Sequence, residues 1–444
     1  MSIMKKLVLI IGCLTLSLST VSCDKFLDIE PEGKIIPKST DDYRKLLTTA
    51  YFTYPRHKAL LTIRTDEVQI PVADNSDFTE IRDVFVYNDQ SPSDGTREYG
   101  YADLYKVIFY ANQTINDGTG TMQIGDTKEQ LLGEAHALRA LAYFDLVNFF
   151  AKPYDPATAA TEPGIVILNE VDLDNKRPKS TVAEVYNQIH ADIDAAKSKL
   201  KVTTYDAGMN YRFSKLALFA LEARVNLYQK NYEAAIQSAE QALSIKNTLQ
   251  NLNDNTTLAV TNFKSPESIM NLEDVFKSGY LSFIFASEDL KASYDKENDI
   301  RYIASFDELN GNSVATKVGN GDTKISFRTA ELYFIKAEAY IFLNQLDQAT
   351  ATLESIIENR YKAEAVTARV EQLKSFDQTA YKKYILEERF REFAFEGQRW
   401  FDLRRLDQKK IVHKLGNEEF TLQQNDPRYT LPFPRKAREN NPNL

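Results

Sequence analysis

The chain has 444 residues, of which 43% are hydrophobic and 26% charged; that is enough apolar material for a sizeable core and too much for global disorder. Lys and Arg number 54 against 63 Asp and Glu, and the formal net charge of −9 excludes a general nucleic-acid binder, which needs a basic surplus. Cys13 and Cys23 are the two cysteines, so the chain beyond them has no disulfide framework, no cysteine-rich zinc site and no thiol nucleophile.

Lys5 and Lys6 precede an apolar stretch from Leu7 to Leu18, and Thr20-Val21-Ser22 leads into Cys23. This is the layout of a secretory signal over residues 1–22, too short to persist as a helix across a hydrocarbon core about 30 Å thick. Cys23 matches the acceptor of a bacterial lipobox, which predicts a lipidated tether over 23–42 and a single domain over 43–444. Residues 1–22 carry two Lys and no acid, so the mature chain has a net charge of −11.

Asp41 to Tyr54 has helical spacing, with Tyr43, Leu46, Leu47 and Ala50 on one side. Residues 55–97 change texture: Pro55, Pro71, Pro92 and Gly95 stand among Asp, Asn and scattered aromatics, predicting loops with short strands. From Tyr99 the helical period dominates, and Leu131, Ala135, Leu138, Ala142 and Phe149 mark a buried face. Thr181 followed by Glu184 resembles a capping box that opens a helix ending near Leu200.

Two similar helix pairs follow. Phe213, Leu216, Ala220, Ala223 and Leu227 form one face, Gln229-Lys230-Asn231 breaks it, and Tyr232, Ala235, Ala239 and Ala242 form the next. At an offset of 114 residues, Leu332, Ile335, Ala339 and Phe342 precede a break at Asn344-Gln345, then Leu346, Ala349, Leu353 and Ile356. The pattern predicts interrupted tetratricopeptide-like hairpins. The interruption, about 247–327, is rich in polar residues and carries Phe276, Tyr280, Phe283, Tyr294 and Tyr302. A last helix is predicted over 378–407, followed by an extended tail at Tyr429-Thr430-Leu431-Pro432-Phe433-Pro434.

Glu388, Glu392 and Glu396 project three carboxylates along one face of that helix. A di-metal bundle site would want Glu-x-x-His on facing helices, and a glycosidase would want a desolvated acid across a cleft from a second one. Helical spacing instead pairs Glu387 with Arg391, Glu396 with Arg399 and Asp402 with Arg405, a structural ionic role. His57, His136, His190 and His413 are dispersed without ligand spacing, and Gly319-Asn320-Gly321 lacks the third Gly of a dinucleotide loop. Asp172-Leu173-Asp174-Asn175 begins like a calcium loop, but Ala183 stands where the closing Glu belongs. The sequence therefore assigns no catalytic residue, metal or cofactor. What remains is binding: Asp66, Glu67, Phe78, Tyr87, Asn88, Tyr99 and Tyr101 mix aromatic faces with carboxylates and amides, which suits sugars and also peptides. Tyr99, Tyr101 and Tyr105 read equally as helix residues packing inward.

Four stretches resemble the SusD/RagB nutrient-binding outer-membrane lipoproteins of Bacteroidetes. Cys23-Asp24-Lys25-Phe26-Leu27-Asp28 resembles their opening, and Gly133-Glu134-Ala135-His136-Ala137-Leu138-Arg139-Ala140 an early helix. Arg328-Thr329-Ala330-Glu331-Leu332-Tyr333 resembles a later repeat helix. Glu387-Glu388-Arg389 through Phe395-Glu396-Gly397-Gln398-Arg399-Trp400-Phe401-Asp402-Leu403-Arg404-Arg405 is the most specific piece. The chain departs from the family at Lys152-Pro153-Tyr154-Asp155-Pro156, where a Gly-x-x-Pro-Leu turn is usual.

The resemblance implies a mainly α protein, with helical scaffold at about 43–54, 99–246 and 328–407 packed against ligand-facing loops at about 55–98 and 247–327. It implies a non-enzymatic, cell-surface lipoprotein of the outer membrane that binds a glycan. As its partner it implies a SusC-like TonB-dependent barrel, over which the protein acts as a lid. Glu388, Arg389, Glu392, Glu396, Gly397, Arg399, Trp400, Asp402 and Arg405 would be structural. Ligand contacts would fall to the loop residues already named, joined by Tyr280, Tyr294 and Tyr302. Peptide cargo, a periplasmic helical-repeat adaptor and a glycoside-acting enzyme are the competing readings.

Overall fold

A computed structural model describes residues 37–55, 57–71, 76–170, 176–319 and 323–444. The signal, Cys23 and the Asp172–Asn175 run lie outside the described residues, as does part of Gly319-Asn320-Gly321. Ser39–Leu444 forms one compact unit.

Helix α1 (Thr40–Thr53) starts at Ser39, whose hydroxyl accepts from the Asp42 N–H while the Asp42 carboxylate accepts from the Ser39 N–H. The 55–98 segment, expected as loops with short strands, is partly helical. It holds α2 (His57–Ile63), one-turn helices at Ser76–Thr79 and Arg82–Phe85, and the two-residue strand β1 (Val68–Gln69). Its apolar residues drive this, because Leu60, Ile63, Phe78, Ile81, Val84 and Phe85 bury together in a core of their own.

Helices α3 (Tyr101–Asn116), α4 (Asp126–Phe150) and α5 (Val182–Lys199) follow. α4 packs on α1 and α3 on one side and α5 on the other, so burial covers almost all of it from Gln130 onward, beyond the single face its spacing marks. Thr181 and Glu184 make the predicted capping box on α5.

The repeated hairpins are α6 (Lys215–Tyr228) with α7 (Tyr232–Ile245), and α8 (Thr329–Phe342) with α9 (Leu346–Arg360). Their turns share one geometry, since Lys230 (φ 64°) and Asn344 (φ 58°), 114 positions apart, both adopt the left-handed conformation that ends a helix. α7 packs against α8, and Tyr232 stacks on Phe342 with ring centroids 4.9 Å apart. Helices α10 (Ala363–Lys374) and α11 (Gln378–Glu392) close the array against α9 and α8 respectively.

Between the hairpins, β2 (Ser268–Met270), β3 (Asp274–Phe276), β4 (Phe285–Ala286), β5 (Phe306–Leu309), β6 (Asn312–Ala315), β7 (Thr323–Lys324) and β8 (Phe327–Arg328) form antiparallel pairs β2–β8, β3–β7 and β5–β6, while β4 pairs back to β1. A final hairpin, β9 (Ile411–Leu415) with β10 (Glu418–Leu422), has no counterpart in the sequence reading.

The helix expected over 378–407 ends at Glu392. Phe395 (φ 62°) and Gly397 (φ 70°) turn the chain, which resumes as a single helical turn at Arg399–Asp402 and a π turn at Leu403–Asp407. The turn drops Phe395 into the core shared with Phe276 and Phe306. Gly397 is required twice over, by its positive φ and by Lys58, whose Cβ lies 2.5 Å from where a Gly397 side chain would begin. Gly397→Ala should therefore cost about 2 kcal/mol or more in chemical denaturation; an unchanged midpoint would show that the turn relaxes.

The three glutamates of this region are structural, but apart from Arg391 on Glu388 their partners come from other elements. Arg301 reaches Glu388 at 2.6 Å and Glu392 at 3.0 Å; Arg328 reaches Glu392 at 2.7 Å, Glu396 at 2.9 Å and Glu267 at 2.9 Å. Arg360 joins Glu267 at 2.6 Å and Glu392 at 2.9 Å, and Lys317 joins Glu396 at 2.8 Å. With Asp299 on Arg301 and Arg391 on Glu388, five acids meet five bases in a buried network. Burial opposes ionisation of Glu388, yet Arg301 and Arg391 hold it down at about 2. Of the three expected pairs, Asp402–Arg405 forms, at 2.7 Å, whereas Arg399 turns to Asp66 and Glu387 lies nearest Lys383. Arg389 completes a neighbouring set with Asp402, and Arg405 with Glu338.

Trp400 is fully buried, with Tyr429 stacked on it at 5.0 Å and the Arg64 guanidinium 4.8 Å from its ring. Leu431 N–H donates to Phe149 O at 2.9 Å, which ties the tail to the end of α4.

Candidate functional site

Most of the residues singled out for ligand contact face inward. Asp66 takes both nitrogens of an Arg399 fork at 2.8 and 2.7 Å and Lys409 at 2.7 Å, so it anchors the turn at 393–398 to the 55–98 segment. Burial opposes its charge, but Arg399 and Lys409 hold it well below the usual carboxylate range. Glu67 accepts from the Phe395 N–H at 3.0 Å, and burial pushes it up to about 8.

Phe78 is buried edge-on to Phe85 and Phe283. Tyr87 stacks on His413 and donates to Arg64 O at 2.9 Å. Tyr280 is 2% exposed, and Tyr294 donates to Arg391 O at 2.7 Å. Tyr302 is half-buried against Tyr294 and Phe306. Phe78, Tyr280 and Tyr294 fill the core of the loop-rich half, Tyr302 packs against it and Tyr87 joins the main helical core, which corrects the expectation that they face a ligand. A second core needs large apolar groups, and aromatic residues supply most of them here.

Asn88 and Tyr99 are different. Both line a cavity of about 390 Å³ between the 83–99 segment and the chain's tail, Pro432 to Arg438. Tyr101 stands beside it, edge-on to Phe150 at 5.3 Å and Phe433 at 5.9 Å. One wall is organised by Asp83, whose carboxylate accepts from Ser93 N–H (2.7 Å), Thr96 hydroxyl (2.6 Å) and Asn88 amide (3.0 Å). Burial works against its charge, and these donors nevertheless hold Asp83 below the ordinary carboxylate value. Arg64 grips Asp89 through two bonds of 2.7 and 2.8 Å, donates to the Tyr99 oxygen at 3.2 Å and reaches Arg428 O at 3.1 Å. One buried cation thereby fixes the 83–99 wall to the chain just before the tail.

Arg97 links this cavity to two adjoining depressions. An open one of about 560 Å³ includes Phe52, Tyr54, His57, Asp103 and Lys106, and a small one of about 60 Å³ includes Lys277 and Tyr280. Glu80 engages the Nε side of Arg97, and no described residue engages its terminal nitrogens. Phe52, 73% exposed, stacks on Tyr211 at the edge of the open depression. Sequence reasoning did not single out Arg97, Phe52, Phe433, Arg435, Lys436 or Arg438 as site residues. The Pro-Phe-Pro run was visible, but nothing in its spacing says which segment it covers.

One buried group invites a metal. His57, Asp145 and Glu273 bring ligand atoms within 4.8 Å of one another, with His57 Nε2 3.1 Å from Asp145 and 3.7 Å from Glu273. Lys58 Nζ stands 3.0 Å from Glu273. Burial disfavours an imidazolium, but Asp145 and Glu273 outweigh it and raise the His57 pKa. Lys58 already supplies Glu273 with a cation, so the cluster fits a structural ionic knot. Among the described residues no helix is long and apolar enough to cross a membrane.

Two family models match the chain: one described as starch-binding and associating with the outer membrane, over residues 25–227, and the SusD family model over residues 282–444. A SusD-like protein of Formosa agariphila, P38, is 26% identical over 89% of this chain and 90% of its own. A solved SusD superfamily protein from Bacteroides fragilis is 20% identical and superposes with a TM-score of 0.76, covering 92% of this chain and 100% of that one. A laminarin binding SusD-like protein, 20% identical, gives 0.63 over 83% of this chain and 91% of its own. These likenesses carry the fold, a helical array of the tetratricopeptide kind with short strands. The two models match successive parts of the sequence, and the chain belongs to the SusD/RagB family.

Proposed function

We propose that the protein is an outer-membrane lipoprotein, anchored through Cys23, that captures a glycan at the cell surface. It would act without breaking bonds and deliver its cargo as the lid of a SusC-like TonB-dependent barrel. The observation that carries the binding reading is the cavity between residues 83–99 and 432–438. Its lining of amides, hydroxyls and guanidinium groups beside the Tyr99 ring matches the donors, acceptors and C–H faces of a sugar. The family description and the laminarin-binding neighbour support the same class of cargo.

The test is calorimetry of the lipid-free protein, residues 24–444, against a panel of soluble glycans. Arg97→Ala should weaken binding by about 10-fold to 100-fold, the worth of a charged hydrogen bond. It should leave stability nearly unchanged, because the Arg97–Glu80 pair is exposed. Binding that survives Arg97→Ala at full strength would place the site elsewhere. For the anchor, a Cys23→Ala variant should lose tritiated palmitate label and leave the membrane fraction; retained label would refute it.

A further inference from the structure

We infer that the cavity between 83–99 and 432–438 is built for an acidic glycan, one carrying carboxylate or sulfate groups. The inference rests on the glycan-binding reading and narrows it. Four acids line the cavity; two are paired with cations, and a third keeps its charge but has its lone pairs taken by neutral donors. Asp83 is saturated by the three donors named above, Asp89 is held by Arg64, and Asp94 meets Arg435 at 2.9 Å. Glu98 is the fourth lining acid and has no cation among the described residues. Against it stand Lys436 and Arg438, which are exposed and without ion-pair partners among the described residues, and the terminal nitrogens of Arg97.

The aromatic wall adds a cation. One face of Phe433 stacks on Phe150 at 5.5 Å, and the Lys179 ammonium stands over its ring at 5.3 Å. An incoming ligand meets an ammonium there, not a bare ring. Asn443 donates to the Lys176 carbonyl at 2.8 Å, which holds the tail against the 176–179 segment that carries Lys179. A positive rim on a chain of net charge −9 stands out against its own field, so it draws anions to this one face.

The occupant is a glycan and not an acidic peptide for a backbone reason. Pro432 and Pro434 have no N–H to donate, and no strand lies within the 83–99 segment, so neither wall offers an edge for a peptide strand to extend. What the lining offers is side-chain chemistry: Asn88, Gln90, Ser91, Ser93 and Thr96 for hydroxyls, and cations for acid groups.

The experiment measures binding of the 24–444 protein to polygalacturonate, a sulfated galactan, neutral laminarin, neutral starch and polyglutamate, at about 50 and 500 mM salt. The expected result is a preference of at least about 10-fold for an acidic polysaccharide over the neutral ones at low salt, largely lost at high salt. The carboxylated and sulfated arms identify which anion is preferred. The Lys436→Ala/Arg438→Ala double variant should lose about 10-fold and show a flatter salt dependence at an unchanged melting temperature. Neutral glycans binding as well as acidic ones, or a double variant indistinguishable from the parent, overturns the inference and leaves glycan capture standing. Polyglutamate binding as tightly as the acidic glycans also overturns it. Failure of every glycan, neutral and acidic, counts against the binding reading itself.

Discussion

Replacing Arg328 with Met should lower the unfolding free energy by about 3–5 kcal/mol, the cost of leaving buried carboxylates without their cation. Arg328 is 1% exposed and, among the described residues, is the one group that touches Glu267, Glu392 and Glu396 together. Met fills a similar volume, so the loss would come from charge and hydrogen bonding more than from a cavity. Without Arg328, Glu396 keeps only Lys317, and the balance of five acids and five bases becomes an excess of one negative charge. Since natural domains hold roughly 5–15 kcal/mol in total, the variant should melt on the order of 10 °C lower and accumulate poorly. Arg435→Ala is the contrast: its pair with Asp94 is exposed and should be worth under about 1 kcal/mol. Equal melting temperatures for the two variants would sink the idea that the network holds α11 to the strand segment.

Glu67→Gln should act in the opposite direction and only at higher pH. The Thr65 hydroxyl has one proton and sends it to Thr62 O at 2.8 Å, so the contact of 3.0 Å between Glu67 and Thr65 is best made by a protonated carboxyl donating to the Thr65 oxygen. The other Glu67 oxygen accepts from Phe395 N–H. Burial, the largest influence, raises Glu67 from 4.5 to about 8. A group whose folded pKa lies above its unfolded value gives stability that is fully present below the unfolded value and fades as pH climbs toward the folded one. The parent should therefore lose stability from this site between about pH 5 and pH 8. Gln reproduces the protonated acid, with its amide donating to Thr65 and its oxygen accepting from Phe395, and it does not titrate. The two proteins should match near pH 4.5 and diverge to a few kcal/mol in favour of Gln near pH 8. Parallel stability curves across that range would refute the assignment.

These two sites show what spacing along the chain could and could not reveal. The hairpins were legible because a buried helix face repeats in sequence, and the 114-residue offset between Tyr232 and Leu346 reappears as a shared left-handed turn at Lys230 and Asn344. The capping box at Thr181 was legible for the same local reason. Arg301, Arg328 and Arg360 were not legible as partners of Glu392, since each arrives from another element and a sequence displays only helix neighbours. The loop aromatics were misplaced because polar surroundings in sequence say little about which rings close over one another. Phe78, Tyr280 and Tyr294 are far apart along the chain and share one core. Asn88 and Tyr99, named for their mix of amide and aromatic groups, line one wall of the cavity. Their opposite wall, more than 300 residues later, carried no local mark of the pairing.

That opposite wall has a consequence for biosynthesis. Pro432 to Arg438 emerge from the ribosome after every helix they pack against, and the Leu431–Phe149 bond that seats them joins positions 282 residues apart. The scaffold can therefore form while the pocket is still one-sided. A product truncated before Tyr429 would keep the helical hairpins yet lack the ring that stacks on Trp400 and the far wall for a cargo, so a folding assay and a binding assay on that product would disagree.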